Sequence, residues 1–163
     1  MTIRTATIAD LETISKIEAK CFPPAEAASP ESFMQRLTYY PNHFWLLEDD
    51  GIAVSCMNGF VTNVPMLRDE MYANASQHDE NGSWQMIFGV MTLPEYQSKG
   101  YAAKLMEQVI TDCRMQGRKG IVLTCKNELI KFYEQFGYIN EGQSMSKHGG
   151  VSWNEMRLTF DEI

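Results

Sequence analysis

Hydrophobic and polar positions along this chain follow two different periods, which predict both strands and helices. The opening TIRTATI alternates with the two-residue period of a strand. After it, Leu11, Ile14 and Ile17 share one helical face, and Asp10 is predicted as the N-cap of that helix. The helix should end near Cys21, because two prolines follow soon after it.

The middle of the chain continues this pattern. Ser29 and Pro30 supply an N-cap and a first-turn proline for a second helix, ESFMQRLTYY. Two apolar segments, HFWLLE and IAVSCMNGFV, are joined by DDG, which predicts a hairpin. Residues 65–82 are polar and are predicted as a loop with one helical turn in MLRDEMY.

The remaining segments complete an alternation of strands and helices. WQMIFGVMT and the short apolar GIVLTC are predicted strands, and the helix between them ends before Gly117. Its apolar stripe consists of Ala102, Leu105, Met106, Val109 and Cys113. LIKFYEQF forms a short helix closed by Gly137, and YINEGQSMS and SWNEMRLTF form a terminal hairpin around KHGG. The predicted order is βααβββαβαββ, which is an α/β fold.

Length and composition fit one domain over residues 1–163. The chain is 44% hydrophobic, enough to bury a core. Its apolar stretches fall short of the roughly 20 residues that span a bilayer, and Met1 to Asp10 lacks the basic start and apolar run of a signal peptide. The expected location is therefore the cytoplasm, with no membrane partner.

The charge distribution narrows the range of partners. A net charge of −7 argues against nucleic acid as the main partner, because a phosphate backbone needs a basic surface. Residues 1–96 hold 5 Lys and Arg against 13 Asp and Glu, whereas residues 97–163 hold 9 against 8. This asymmetry suits a cationic substrate in one half and an anionic cofactor in the other. It equally suits an acidic surface that aids solubility.

The cysteines predict neither a metal site nor a disulfide framework. They form no CxxC pair and no cluster with His43, His78 or His148, so no metal cofactor is expected. All four are interpreted as small buried apolar residues: Cys21, Cys56, Cys113 and Cys125.

The segment EYQSKGYA, residues 95–102, carries the first candidate chemistry. It joins a strand to a helix, and the first N–H groups of a helix, with the positive end of its dipole, suit a phosphate. Gly100 lets the backbone approach such a ligand, and Gln97, Ser98 and Lys99 can add donors. Neither GxxxxGK(S/T) nor GxGxxG is present, so an ordinary turn glycine explains the isolated segment better.

Together with a second motif, this segment resembles the GNAT superfamily of acyl-CoA-dependent N-acyltransferases. The pyrophosphate loop of that family follows (Q/R)xxGx(G/A), which Gln97, Gly100 and Ala102 match. The family's later helix carries an aromatic–Tyr pair ahead of a Gly–aromatic pair, which FYEQFGY at residues 132–138 matches. The element order matches over nearly the whole chain. The resemblance implies a mixed, mostly antiparallel sheet flanked by about four helices, with acetyl-CoA as the acyl donor.

Two longer blocks are similar to the serotonin (arylalkylamine) N-acetyltransferase branch: CFPPAEAASPESF and VLTCKNELIKFYEQFGY. One feature differs, because Trp84 and Met86 stand where the vertebrate enzyme has a histidine pair. The resemblance therefore implies acetyl transfer to a small primary amine, either an arylalkylamine or a polyamine. It leaves the general base and the exact acceptor open.

The resemblance also implies roles for single residues. Tyr133 is assigned as the general acid for the leaving thiolate, with a core aromatic as the alternative. Gly89 lies where the strand splays from its neighbour in this family, and an N–H near Val90 polarises the thioester there; a packing glycine is the alternative. Asn127 is expected near the pantetheine, as a helix N-cap, or in both roles. The expected cofactor-binding residues are Phe88, Gly89, Val90, Gln97, Ser98, Lys99, Gly100, Tyr101, Ala102, Asn127 and Phe132.

Glu26 is the predicted general base. The resemblance to insect relatives implies a loop glutamate at this place, and a carboxylate would also bind the charge of an amine. A solvated loop carboxylate is the alternative. His78 and Asp79 are the next candidates, acting through water, and His148 is interpreted only as part of the hairpin turn.

Three functions stay open at this stage. The first is N-acetylation of a small amine, and the second is acetylation of a protein N-terminus or lysine in an open groove. The third is a catalytically silent acyl-CoA-binding module, which the missing histidine pair favours and Tyr133 disfavours. A homodimer and acyl groups other than acetyl are left open.

Overall fold

The computed structural model describes residues 1–160 of the 163-residue chain. The last three residues of the predicted domain, 161–163, lie outside the described residues. Within the described range the chain forms nine strands and four helices: β1 (Thr2–Thr5), α1 (Leu11–Cys21), α2 (Pro30–Tyr39), β2 (Phe44–Asp49), β3 (Ile52–Asn58), β4 (Val61–Thr62), β5 (Trp84–Ile87), β6 (Gly89–Thr92), α3 (Tyr101–Met115), β7 (Gly120–Cys125), α4 (Ile130–Glu134), β8 (Ile139–Gln143) and β9 (Asn154–Thr159). None of these helices combines the length and the apolar character needed to cross a bilayer.

The strands pair in two sheets, with the orders β1-β2-β3-β6 and β4-β5-β7-β9-β8. The pairing of β5 with β7 is parallel, and the other pairings between described strands are antiparallel. The mixed, mostly antiparallel sheet that the resemblance implied is therefore confirmed, together with the element order.

Two predicted strands are interrupted, which raises the number of strands from seven to nine. IAVSCMNGFV breaks at Gly59 and Phe60, between β3 and β4, and WQMIFGVMT breaks at Phe88, between β5 and β6. A Cβ at Gly59 would lie 1.8 Å from the backbone oxygen of Met86, so the close approach of these two backbone segments requires glycine. The N–H of Phe88 still donates to Asn58 O at 2.7 Å, so the two interrupted strands stay together as they pass between the sheets.

Caps and turns form where the sequence carries their local signals. The N–H of Ser32 donates to Ser29 Oγ at 3.1 Å, which caps α2 as predicted. Asp50 and Gly51 have φ angles of 52° and 76° between β2 and β3. Two consecutive positive φ angles are the signature of a type I′ hairpin turn, so the hairpin prediction is confirmed.

Asp10 occupies the N-cap position of α1 as predicted, but its side chain makes no capping hydrogen bond to that helix. A short 3₁₀ turn, Ile8–Asp10, precedes α1, and the carboxylate of Asp10 instead accepts the N–H of Thr7 at 2.8 Å. It also accepts a hydrogen bond from Arg4 at 2.8 Å, which lowers the pKa of Asp10. The side chain thus ties the start of the helical region to β1.

The helices cover both faces of the first sheet. Along β2, Phe44 and Leu46 pack with α1 and α2, whereas Trp45 and Leu47 pack with α3. This alternation is the two-residue period of a strand with apolar neighbours on each face. Cys56, Cys113 and Cys125 are buried as predicted, and Cys21 is half-buried.

The polar segment 65–82 carries more local structure than its sequence indicated. A 3₁₀ turn at Asp69–Ala73 matches the helical turn predicted in MLRDEMY. A second 3₁₀ turn, Ala75–Gln77, lies in a part that was predicted as plain loop.

Candidate active site

A cleft opens between β6 and β7 at the centre of the fold. β5 pairs in parallel with β7 up to Ile87 and Leu123. From Gly89 onward the chain continues as β6, which pairs with β3 instead. A cavity of about 70 Å³ lies in this opening. It is lined by Glu18, Phe22, Glu26, Tyr72, Ile87, Phe88, Gly89, Val90, Leu123, Thr124, Cys125, Leu129, Tyr133, His148 and Trp153.

Tyr133 extends from α4 into this cavity and is only 3% exposed. Its ring packs edge-on against Phe132 and Tyr138, with centroid distances of 5.1 Å and 5.7 Å. Burial raises the pKa of the Tyr133 hydroxyl well above its ordinary value, and Cys125 adds to the effect. The phenol therefore stays protonated at neutral pH, which is the state that a proton donor needs.

The N–H of Val90 is directed into the cleft. Across the pairing of β3 with β6, the N–H of Leu93 donates to Val54 O at 2.9 Å. Because N–H groups alternate in direction along an antiparallel strand, the N–H of Val90, three residues earlier, points away from β3. The predicted thioester donor thus lies in the wall of the cavity.

Gly89 and Phe88 border the same wall. A Cβ at Gly89 would lie 3.1 Å from Asn58 Nδ2, closer than most van der Waals contacts. The ring of Phe88 packs edge-on against Phe60 and lies tilted against Tyr72, with centroid distances of 5.0 Å and 4.9 Å. Phe88 is therefore part of an aromatic cluster that lies beside the cleft.

The predicted phosphate loop, residues 97–102, lies at the N-terminus of α3. Ser98 and Gly100 have φ angles of 63° and 84°, and among the described residues nothing lies within 4 Å of a Cβ at Gly100. The N–H of Lys104 donates to Gly100 O at 3.1 Å and begins the helical ladder. The N–H groups of residues 101–103 precede that ladder, so they are oriented toward a ligand position at the helix end.

Side chains of this loop are engaged within the protein. Lys99, which was expected to add a donor for a phosphate, places its ammonium 5.5 Å from the ring centroid of Tyr96. Gln97 Nε2 donates to a backbone oxygen at 3.1 Å, and the hydroxyl of Tyr101 donates to Asp49. The loop therefore offers a ligand its backbone N–H groups more than its side chains.

Asn127 is not the helix N-cap that the sequence suggested. Lys126 is the N-cap of the 3₁₀ turn Asn127–Leu129. The side chain of Asn127 is exposed and accepts a hydrogen bond from Asn154 Nδ2 at 2.6 Å, which ties it to β9. It lies outside the set of residues that line the cavity.

Glu26 is a buried residue, not a solvated loop carboxylate. It lies between α1 and α2, is 8% exposed and lines the cavity. Its Oε1 lies 2.8 Å from the ammonium of Lys126. This ion pair offsets the negative charge of Glu26.

His148 lines the cavity, so its interpretation as nothing more than a hairpin turn is wrong. Its ring is stacked on Tyr72, with centroids 4.8 Å apart and planes inclined by 6°. Nε2–H of His148 donates to the backbone oxygen of Glu26 at 2.7 Å. Trp153 Nε1–H in turn donates to His148 O at 2.7 Å, so the loop between β8 and β9 folds over the cavity.

Arg36 places a buried cation beside the cavity. It donates to Asn58 Oδ1 at 2.9 Å and to the backbone oxygen of Tyr72 at 3.1 Å. Its guanidinium carbon lies 5.3 Å from the ring centroid of Phe33 and 5.4 Å from that of Phe88. Arg36 also lines an adjoining open recess of about 390 Å³ that shares Tyr72, Phe88 and other walls with the cavity.

His78 belongs to a separate cluster with His43 and Glu80, in which three metal-ligating atoms lie within 4.8 Å of one another. The N–H of Val61 donates to His78 Nδ1 at 3.0 Å, so the proton of the neutral ring lies on Nε2 and is donated to Glu80 at 3.0 Å. Arg118 binds the other oxygen of Glu80 at 2.9 Å. Coordination through His78 Nε2 would require loss of its proton, so hydrogen bonding explains this cluster better than a metal ion.

The structure does not bring His78 and Asp79, the other predicted bases, to the cavity itself. Neither residue lines the cavity. The N–H of Asp79 donates to Val61 O at 2.9 Å, and its carboxylate accepts the N–H of Asn81 at 3.0 Å. The proton acceptors that do line the cavity are Glu18, Glu26 and His148.

Comparison with known proteins identifies one family. The model of the family described as acetyltransferase (GNAT) domain matches residues 10–160. No curated protein matches the chain.

Solved structures share the fold at low sequence identity. The GphF GNAT-like decarboxylase in complex with isobutyryl-CoA has a TM-score of 0.85 at 19% identity, covering 98% of this chain and 99% of that one. The ribosomal-protein-S18-alanine N-acetyltransferase from Escherichia coli has a TM-score of 0.75 at 17% identity, covering 99% and 95%. The structure of yncA from Salmonella typhimurium with its cofactor acetyl-CoA has a TM-score of 0.71 at 16% identity, covering 100% and 95%. These structures are diverse, and they do not support the narrower resemblance to the serotonin N-acetyltransferase branch.

Proposed function

The chain belongs to the acetyltransferase (GNAT) domain family, and on this basis we propose that it transfers the acetyl group of acetyl-CoA to the primary amine of a small molecule. The observation that carries the proposal is the cavity between β6 and β7, which both Tyr133 and Val90 line. Aminolysis of a thioester needs a donor for the developing oxyanion and an acid for the leaving thiolate.

Acetyl-CoA is the proposed acyl donor. Proteins of the same fold have been solved with acetyl-CoA, as for yncA, and with isobutyryl-CoA, as for GphF. In this chain the pyrophosphate would lie on the backbone N–H groups of residues 97–102, because the N-terminus of α3 carries a partial positive charge. The pantetheine arm would run along the edge of β6 that β7 leaves free, beside residues 88–90. Asn127 and Phe132, which follow β7 along the chain, are proposed as further contacts of the cofactor.

Tyr133 is proposed as the general acid. As the tetrahedral intermediate collapses, the C–S bond breaks and the thiolate takes a proton from the phenol. An ordinary thiol has a pKa near 8.5, about 1.5 units below that of an ordinary tyrosine. Burial raises the pKa of Tyr133, and the same apolar surroundings would raise the pKa of a thiolate in the cavity, so proton transfer between them stays accessible.

The acceptor site suits a small amine with an apolar portion. Aromatic residues Phe22, Tyr72 and Trp153 line the cavity together with two carboxylates. Aromatic faces and carboxylates both attract an ammonium group, which arylalkylamines and polyamines carry at neutral pH. The arylalkylamine choice rests on the two sequence blocks that resemble that branch.

Three segments cover the cavity and are called its roof: residues 22–29, 69–73 and 144–153. Glu26, the base predicted from the sequence, is proposed instead to hold this roof in place. Its carboxylate is neutralised by Lys126, and its backbone oxygen binds His148. Both contacts hold the loop between α1 and α2 against the rest of the site. The proton-accepting role then falls to another group that lines the cavity.

A protein N-terminus or lysine is the second class of acceptor. The Escherichia coli structure of the same fold is named as a ribosomal-protein-S18-alanine N-acetyltransferase. In this chain the recess of about 390 Å³ beside the cavity would have to admit a peptide end, and Ser29, Ser32 and Asp69 line it. A lysine peptide in the assay therefore separates the two classes.

The test is a thiol-release assay with acetyl-CoA and four acceptors: tryptamine, phenylethylamine, spermidine and a lysine peptide. Turnover with one small amine supports the proposal and chooses between aromatic and polyamine acceptors. Turnover with the peptide alone supports a protein acceptor. Thermal stabilisation by acetyl-CoA without turnover on any acceptor would favour a silent acyl-CoA-binding module.

Decarboxylation of a carboxyacyl-CoA is a second candidate function. The GphF structure of the same fold is named as a GNAT-like decarboxylase. The observation in this chain that favours it is the buried guanidinium of Arg36 beside the cavity, since a guanidinium is the preferred partner of a carboxylate. Release of carbon dioxide from malonyl-CoA in the absence of any amine would support this reaction, and amine-dependent thiol release without carbon dioxide would exclude it.

The proposed protein is a single-domain enzyme. The family match over residues 10–160 supports one acyltransferase domain over residues 1–163. A cytoplasmic location and a homodimer remain predictions from the sequence.

A further inference from the structure

Two carboxylates, Glu18 and Glu26, line the same cavity in different surroundings. Glu18 lies on α1, four residues after Ile14, within the buried stripe of the helix, and is 5% exposed. Glu26 already has a counter-ion, because its Oε1 lies 2.8 Å from the ammonium of Lys126. A carboxylate in an apolar helical stripe needs a polar partner of its own.

Only one oxygen of Glu18 has such a partner. Oε2 accepts the N–H of Ala28 at 2.8 Å. Oε1 is buried and has no hydrogen-bond partner within residues 1–160. A Cβ at Gly89 would lie 3.9 Å from Oε1, which places this oxygen at the backbone of β6, next to Val90. Because buried acceptors without partners are unfavourable and rare, this oxygen marks a position for a donor on a ligand.

The electrostatic surroundings of Glu18 suit a base. Burial raises the pKa of its carboxyl, opposed by the N–H of Ala28 and by the charges of Arg36 and His148. A raised pKa makes a carboxylate a stronger proton acceptor near neutral pH. The charged and titratable side chains that face Glu18 from the neighbouring elements are Cys21, Glu26, Arg36, Cys56, Tyr72 and His148.

We propose that Oε1 of Glu18 binds the ammonium group of the acceptor and takes its proton. The inference rests on the proposed acetyl transfer and makes Glu18, not Glu26, the catalytic carboxylate. It restricts the acceptor to amines whose nitrogen reaches the backbone of β6 at Gly89, with the rest of the molecule among Phe22, Tyr72 and Trp153.

The reaction balances as follows. The ammonium gives one proton to Glu18, and the freed lone pair bonds to the thioester carbon. The C–S bond breaks as the oxyanion collapses, and the thiolate takes a proton from Tyr133. The second nitrogen proton restores Tyr133, and Glu18 releases its proton to solvent. The products are an N-substituted acetamide, free CoA thiol and one proton.

The experiment compares E18Q with the matched variant E26Q, using phenylethylamine, spermidine and acetyl-CoA as probes. Both substitutions remove one carboxylate charge from the same cavity. Loss of a general base lowers kcat/KM about 100-fold or more, so E18Q should show that loss while its thermal stabilisation by acetyl-CoA is unchanged. E26Q should lose less than about tenfold. In the pH profile of kcat/KM, the limb that rises above the ordinary glutamate value of 4.5 should be present in the wild type and E26Q and absent in E18Q.

A second variant keeps the test informative if E18Q folds poorly. E18A removes the carboxylate altogether, and added formate should restore part of its activity only if the missing group is a proton acceptor. If E18Q keeps the wild-type turnover, or if E26Q loses as much activity as E18Q, the proposed role of Glu18 is overturned. The proposed acetyl transfer is not affected by either result. Absence of wild-type turnover with both amines instead overturns the proposed small-amine acetylation, and the role of Glu18 with it.

Discussion

The ring of His148 lies flat on the ring of Tyr72, with centroids 4.8 Å apart and planes inclined by 6°. One residue belongs to the loop between β8 and β9, and the other to the 3₁₀ turn Asp69–Ala73. Nε2–H of His148 also reaches the backbone oxygen of Glu26 in the loop between α1 and α2. A single imidazole thus joins the three loops that cover the cavity.

Replacing His148 by alanine should lower the free energy of unfolding by about 1–3 kcal/mol. The change removes an aromatic stack worth about 0.5–1.5 kcal/mol and a hydrogen bond worth about 1 kcal/mol. H148F keeps a ring without the N–H donor, so its stability should lie between those of the wild type and H148A. Urea unfolding of the three proteins checks this order. Equal stability of all three would mean that the loops are held by other contacts.

Replacing Tyr133 by phenylalanine should lower kcat about 10²- to 10⁴-fold, the range that general acid catalysis provides. Binding of acetyl-CoA, measured by calorimetry, should stay unchanged because the ring is kept. Y138F is the matched control, since the hydroxyl of Tyr138 is buried against Met106 Sδ at 3.3 Å and lies outside the cavity lining. Similar activity in Y133F and Y138F would show that the Tyr133 hydroxyl donates no proton.

The two glycines at the ends of α3 allow a matched test of the phosphate loop. Gly100 and Gly117 have φ angles of 84° and 79°, and among the described residues nothing would touch a Cβ at either position. An alanine at each should therefore cost a similar amount, about 1–2 kcal/mol, in the free energy of unfolding. Only G100A should weaken the binding of acetyl-CoA, because it distorts the N–H groups at the start of α3. Equal CoA affinity in both variants would separate this loop from the pyrophosphate.

Low pH should lower the stability of the folded protein, because Glu80 then becomes protonated. Burial raises the pKa of Glu80, but hydrogen bonds from His43 and His78 outweigh burial and hold the pKa at about 2, below the ordinary 4.5. Because the folded protein has the lower pKa, the unfolded chain binds more protons between these values. The stabilisation by Glu80 is therefore present above about pH 4.5 and is lost as the pH falls toward about 2.

The measurement is the melting temperature of the wild type and of E80Q at a series of pH values. The wild type should be the more stable protein near neutrality, and the difference should shrink below about pH 4.5. A difference that stays constant down to about pH 2 would contradict the assignment.

Local signals in the sequence predicted most of the fold. Ser29 caps α2, the turn at Asp50 and Gly51 joins β2 to β3, and Gly117 follows α3, because each depends on a few neighbouring residues. The element order followed from the periods of apolar positions. Asp10 lies at the N-cap of α1 as predicted, but its carboxylate binds Arg4 and the N–H of Thr7 and does not cap the helix.

The candidate site was harder to predict because distant segments build it. The breaks at Gly59 and Phe88 arise where two strands pass between sheets, which no local period records. Glu18 did carry a signal, since a carboxylate four residues after Ile14 interrupts an apolar helical stripe. His148 carried none, because Tyr72 and Glu26 reach it only in the folded chain.

The two sides of the cleft between β6 and β7 differ in what determines their shape. The wall that holds Val90 is fixed by backbone pairing on β3, so its shape barely depends on side chains. The roof consists of side chains from residues 22–29, 69–73 and 144–153, which follow no common sheet. Variant libraries confined to the side chains of the roof should therefore yield enzymes with new amine preferences that still carry out the chemistry at the thioester.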